Sequence, residues 1–324
     1  MMLAKIFWVT VRTANLIKER AGKERPAEVV ELLDESLEQL MRVLADPTSP
    51  AGEVNPMIDR LLSALVTDKT AHQEAFARIE PLLVQNWPND PNVLLTRGWV
   101  HIDLAWFARG SGMSSTVTSV GLKQFESEIA KAEVCLTDSW INGPLSRTAR
   151  HMMRVELAQG EGRERMELWF GRALELNPTD YDTCVEKLWY LMPRWHGEHA
   201  DLLKFGRECV VHPTWKGEVP LTLMRAHEYV AGDLPKSRRG AYWQDPKVWA
   251  EVKQSYERFF EINPRDIGWR HNYAKAAWRS HAWKDLNQQV RLLGEINYTY
   301  FGGREEFDRM VAEGLAGEGR GPAL

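Results

Sequence analysis

The sequence predicts an all-α protein, a right-handed α-solenoid of degenerate helix pairs. Three observations predict it. The string "ALELNP" at Ala173–Pro178 returns as "FFEINP" at Phe259–Pro264, and in part as "GEIN" at Gly294–Asn297. Helix ends recur at about one interval: Asn263 and Asn297 lie 34 residues apart, and Pro178 and Pro213 lie 35 apart. Between them, apolar residues recur at three- and four-residue steps, as in Phe170, Ala173, Leu174 and again in Tyr256, Phe259, Phe260. That recurrence is the buried stripe of an amphipathic helix.

The elements follow in order. Residues 1–20 fit a helix or a strand, and the pattern does not choose between them. Residues 26–45 read as an amphipathic helix opened by Pro26, and 55–66 as a second; the stretch 46–53, with two Pro and a Gly, is a loop. These make an N-terminal helical cap over residues 1–70. From 71 to 310 the repeats take over, and a 34-residue unit ending in Asn-Pro is the pattern of tetratricopeptide repeats, two antiparallel helices per unit. First helices are expected at 91–110, 143–160, 180–197, 219–232 and 266–283. Second helices include "RMELWFGRALELNP", "ADLLKFGRECVVHP" and "AEVKQSYERFFEINP". The Asn-Pro endings are punctuation, because proline cannot extend a helix and pushes the preceding residue out of the helical region. No helix pair buries its own apolar face, so each stacks on the next. Residues 311–324, rich in Gly, are expected to form a flexible tail.

Composition narrows the function classes. Hydrophobic residues make up 44% and charged residues 27%, ordinary for a globular chain. A net charge of −4 gives no electrostatic reason to expect nucleic acid or an anionic membrane as partner. No stretch approaches the ~18 apolar residues of a membrane span. The apolar run Ile6–Val11 is too short for a signal-peptide core and no Ala-x-Ala-like site follows it. Three widely spaced cysteines suggest no disulfide framework. A cytoplasmic protein is the expectation.

Two segments depart from the general repeat. One carries Arg109-Gly110-Ser111-Gly112 followed by Thr116-Val117-Thr118; the other carries Pro193-Arg194-Trp195-His196-Gly197 ahead of Phe205. Together, over roughly 74–215, they resemble the family catalogued as domain of unknown function DUF4034. The resemblance implies a tetratricopeptide-like helical architecture. It lends no catalytic residues, because the family has no assigned activity.

Chemistry-bearing motifs are sparse. His196, His199, Cys209 and His212 have the residue types of a zinc site. However, 199–209 reads as one helix, about 15 Å long at 1.5 Å per residue, which keeps the two pairs from converging. "RGSGMSS" has neither the strand of a nucleophile elbow nor the Gly-Lys of a phosphate loop. Its free backbone N–H groups with Arg109 could hold an anion. This is the alternative reading: a small-molecule or anion site, or an enzyme, using His101, Arg109, Ser111, Thr116 and Thr118 with Asp103 nearby. The basic and aromatic residues of 232–246, Lys236, Arg238, Arg239, Tyr242 and Trp243, read as a solvated loop pinned by Trp243.

The leading expectation is a non-catalytic scaffold that binds a protein or peptide. In stacked helix pairs the concave surface comes mainly from first helices. Carrying over the tetratricopeptide groove positions gives Trp99, Asp103, His151, Glu186, Tyr190, Arg194, His271, Lys275, Trp278 and Arg279. The set is polar, charged and aromatic, which suits gripping a peptide or a carboxylate terminus. No cofactor and no metal is expected. The sequence leaves the partner's identity and the oligomeric state open.

Overall fold

The computed structural model describes residues 27–46, 48–110 and 117–319. Among these residues every regular element is helical. The expected strand-or-helix at 1–20 lies outside them. None of the described helices is long and apolar enough to cross a membrane. The chain divides into two compact units, Met1–Leu176 and Asn177–Leu324. The boundary falls at the Asn-Pro of 177–178.

The first unit contains α1 (Ala27–Leu44), α2 (Ala51–Leu65), α3 (Lys69–Asn86), α4 (Pro91–Arg109), α5 (Ser119–Asn142), α6 (Ser146–Gln159) and α7 (Arg163–Leu176). Local chemistry sets the helix starts. Asp68 accepts from the Ala71 N–H, Asp90 from the Asn92 and Val93 N–H groups, and Thr118 from the Gly121 N–H. Each satisfies a donor that the first turn would otherwise orphan. Pro91 follows its cap, where its missing N–H is harmless. The core threads α1 to α5 through Leu40, Leu44, Ile58, Leu61, Ile79, Val100 and Leu136, all fully buried. The α4–α5 and α6–α7 pairs make the most extensive helix contacts of this unit.

The second unit contains α8 (Tyr181–Tyr190), α9 (His199–Val211), α10 (Thr222–Asp233), α11 (Lys236–Trp243), α12 (Pro246–Ile262), α13 (Ile267–Arg279), α14 (Trp283–Leu292) and α15 (Arg304–Glu318). Single 3-10 turns stand at Val219–Leu221 and Tyr298–Phe301. Its core is aromatic. Tyr256 stacks on Tyr273 with ring centroids 4.6 Å apart, Phe260 stacks on Tyr273 at 6.1 Å, and Phe259 is fully buried beside them. This is where much of the chain's large aromatic complement goes.

Three expectations change. Helix α2 begins at Ala51, inside the expected loop, with Pro56 within it. Pro50, held extended at φ −74° and ψ 124°, starts the helix there. The segment expected as a solvated loop holds α11, because Trp243 is drawn into the core at 5% exposure and carries the preceding residues with it. The last helix runs to Glu318 where a flexible tail from 311 was expected, anchored by buried Phe307 and Met310. Residues 320–324 lie outside the described residues.

Candidate functional site

A concavity of about 630 Å³ in the second unit opens between two expected first helices. Helix α10 supplies Met224, Arg225 and Glu228; α13 supplies Trp269, Asn272, Lys275, Trp278 and Arg279. Residues Tyr256, His281 and Glu313 complete the wall. Residues three or four apart share a helix face, so one stripe of α13 delivers most of its side chains to the same space. His281 stands in the α13–α14 turn at φ 55°, a left-handed geometry that turns its ring back on Trp283 at 4.7 Å.

The charges are unequally paired. Arg225 Nη1 donates to Glu228 Oε2 at 2.7 Å, and Glu313 accepts from the Trp278 indole N–H at 2.6 Å. Lys275 Nζ donates to the Tyr300 carbonyl at 3.1 Å. Arg279 has its guanidinium on the face of Trp243, 3.4 Å from the ring centroid, and no hydrogen bond or ion pair among the described residues. Burial pushes that guanidinium below the usual arginine range, opposed by nearby Glu228 and Tyr256. Burial also lowers the Arg225 guanidinium, but Tyr181 and Glu228 outweigh it and the net shift is upward. Both Nε atoms are buried without an acceptor.

Of the other groove positions in this unit, Tyr190 is a core residue at 1% exposure, stacked on His196 at 4.6 Å. Buried His271 is a structural link: its Nδ1 lies 2.7 Å from the Ile267 carbonyl and its Nε2 accepts from the Asn297 N–H at 3.0 Å. Exposed Arg194 lies over the Trp189 ring at 4.6 Å, and Glu186 is half-buried on α8. The structure therefore brings Lys275, Trp278 and Arg279 into one cavity and places Glu186, Tyr190, Arg194 and His271 outside its wall. The tempting zinc quartet is scattered. His199 meets Asp233 at 2.9 Å, His212 stacks on Trp215 at 3.8 Å, and Cys209 is buried.

In the first unit, Trp99 is buried and its indole N–H donates to Asp59 at 3.1 Å. Asp103 accepts from Arg154 at 3.3 Å. His151 lies among Arg147, Arg150 and Arg154, and burial, then those three charges, holds its imidazole well below its ordinary value, hence neutral. The alternative loop site is only partly described, because Ser111 and Thr116 lie outside the described residues. Thr118 caps α5, and Arg109 leans on Trp106 at 5.5 Å. His101 is at 5% exposure with Nδ1 2.7 Å from Glu128 and Nε2 3.3 Å from Glu80. A ring with both nitrogens bound to carboxylates is held as imidazolium and has no lone pair to serve as a base. Arg97 reinforces Glu80 at 3.1 Å and Lys131 reinforces Glu128 at 2.8 Å.

Residues 147–216 match the family model described as Domain of unknown function (DUF4034). The DUF4034 segment covers the Pro193–Gly197 turn and Phe205 but neither the 109–118 loop nor the cavity between α10 and α13. Gly197 of that turn has a steric reason to be glycine, since a Cβ there would collide with the Leu191 carbonyl oxygen. No curated protein and no solved structure matches the chain.

Sequence reasoning named Lys275, Trp278 and Arg279 on α13 and missed Trp269 and Asn272 beside them as well as the whole α10 side. Arg225 and Glu228 stand three apart on an expected first helix, a spacing that places them on one face. That spacing was the available signal. Tyr256 and Glu313 carried none, since each reaches the cavity from an element read as core-facing or as tail.

Proposed function

We propose that this chain is a non-catalytic scaffold that binds a protein or peptide partner. In this reading its helix pairs are degenerate tetratricopeptide-like repeats stacked as a right-handed solenoid, and the partner lies on the first-helix side. One observation carries the reading. Two successive first helices, α10 and α13, line one cavity of about 630 Å³ with Arg225, Trp269, Lys275, Trp278 and Arg279. That volume falls within the usual range of roughly 300–1,000 Å³ for ligand pockets. Tryptophan and arginine are the residues that dominate binding energy at interfaces. The cavity offers cations and aromatic surface but no nucleophile held against a base, which suits holding a ligand over transforming it. We also assign a reducing, cytoplasmic setting, supported by the three free, buried thiols of Cys135, Cys184 and Cys209.

The test is a peptide display selection on the wild-type protein, followed by binding of the selected peptides to Trp278→Ala/Arg279→Ala. Loss of each such side chain at a binding hot spot removes about 2 kcal/mol or more, roughly thirtyfold in affinity. Binding to the double variant is therefore expected to vanish while far-UV circular dichroism stays near wild type. Unchanged binding by a folded double variant would remove this cavity from the partner site.

A further inference from the structure

We propose that the α10–α13 cavity selects its peptide by a carboxylate seated against the edge of Arg279. This rests on the peptide-binding reading above and adds the chemistry of the bound segment.

The first argument is stereochemical. A guanidinium has five N–H donors in a fixed plane. The Trp243 ring covers one face of the Arg279 plane at 3.4 Å, and Trp243 is itself anchored at 5% exposure. Stacking of this kind fixes the orientation of the fork. Nε is buried without a partner, while neither Nη is among the buried unpartnered atoms, and neither has a protein acceptor among the described residues. The two Nη groups are thus accessible, and Arg279 lines the cavity. A fork held in plane with its outer donors open matches the two oxygens of a carboxylate.

The second argument is charge. Among the residues that line this cavity, Arg225, Lys275 and Arg279 stand against Glu228 and Glu313, three permanent cations to two carboxylates. Glu228 is engaged by Arg225 at 2.7 Å, which leaves Arg279 as the partly desolvated cation without a counter-ion. A carboxylate balances one charge. A dianionic phosphate would bring a second negative charge beside Glu228 and Glu313, where like charges repel. The third argument is the wall. Trp269 and Trp278 are half-buried and have their indole N–H groups already bonded, to Glu218 at 2.9 Å and to Glu313 at 2.6 Å. What they offer a ligand is ring surface, so the carboxylate sits next to an apolar or aromatic residue of the peptide.

The carboxylate can come from an acidic side chain or from a chain terminus, and blocked peptides separate the two. The probes are acetyl-Phe-Glu-amide, acetyl-Phe-Gln-amide, acetyl-Gln-Phe with a free carboxyl end, and acetyl-Phe-phosphoserine-amide. Each is titrated into the full chain and read by tryptophan fluorescence, since the probes contain no tryptophan. A charge-assisted hydrogen bond is worth enough for at least about tenfold discrimination. The Glu peptide, or the free-acid peptide if the source is a terminus, is expected to bind at least about tenfold more tightly than the Gln peptide. Arg279→Gln should bring that ratio to near one. Arg304→Gln, at an exposed arginine of the same unit, should leave it intact. Equal binding of the acidic and neutral peptides by wild type overturns the proposal, as does a preference that survives Arg279→Gln. Tightest binding of the phosphoserine peptide overturns it too. If neutral and acidic peptides bind equally and Trp278→Ala weakens both, the peptide groove stands and the carboxylate assignment falls. If none of the four changes the fluorescence, both fall.

Discussion

Replacing His101 with alanine will cost the first unit about 3 kcal/mol near pH 6, the lower end of the loss when one partner of a buried ion pair is removed. The ring bridges two helices besides its own: Glu80 comes from α3 and Glu128 from α5. Its removal leaves two carboxylates around an emptied buried position. The lower end applies because the Glu80 side chain is 27% exposed and Arg97 and Lys131 remain as partners. The same site gives wild type a definite pH profile. Burial depresses the His101 pKa, but the bonds its ring donates to Glu128 and Glu80 overcome it and the net shift is upward. Its stabilisation is therefore complete below the ordinary histidine value and is lost as pH rises through the raised one. Glu80 is lowered mainly by its bond from His101; for Glu128 burial raises the pKa, but the His101 and Lys131 bonds win. Their contribution is present above the ordinary carboxylate range and lost as pH falls through the lowered values. The bridge itself should contribute most at roughly pH 5–6, between the ordinary Glu and His values, and the stability difference between wild type and His101→Ala should be largest there. Urea unfolding followed by circular dichroism from pH 4 to 9 checks it. His101→Ala should lose the decline on the alkaline side; a variant with the wild-type profile would show that the bridge contributes nothing.

Gly206→Val will destabilise the second unit by about 2–3 kcal/mol, at the severe end of overpacking. A Cβ at Gly206 would lie 2.7 Å from the Leu223 Cα and 3.0 Å from its Cδ1. The nearest atom is backbone, so no rotamer change relieves the clash and α9 must move away from α10. Gly206→Ala makes the graded comparison. It meets the same contact but gains about 1 kcal/mol of helix propensity, so its loss should be smaller. Thermal melting should fall by several degrees for valine. Movement at α10 also reaches the cavity through Arg225 and Glu228, so peptide affinity should fall alongside stability. A valine variant that melts like wild type would mean that the two helices do not approach this closely.

The helices were legible because their signals are local. Asp90-Pro91, Asp180, Asp245-Pro246 and Asp266 start helices by side-chain bonds to the next few N–H groups, and a sequence displays such pairs directly. Errors arose where a distant contact overrode local chemistry. The 236–243 stretch looks like a solvated loop until Trp243 finds its place in the aromatic core. The candidate site divides along the same line. Lys275, Trp278 and Arg279 share a helix face and could be grouped by periodicity. His271 and Tyr190 obey the same register but are buried, because their environment depends on neighbouring turns that periodicity does not contain. The Glu80–His101–Glu128 bridge joins residues 21 and 27 positions apart, and no spacing rule connects them.

The helices that contact each other most are neighbours along the chain: α4 with α5, α6 with α7, α9 with α10, α13 with α14. This has a kinetic consequence. Little loop entropy has to be surrendered before a contact forms, and rates rise as contacting residues come closer in sequence. Each pair can form as soon as its second helix leaves the ribosome, well within the time taken to add the next pair at about 5–20 residues per second. Apolar faces are therefore covered progressively during synthesis, and the nascent chain never exposes its full complement of tryptophan at once.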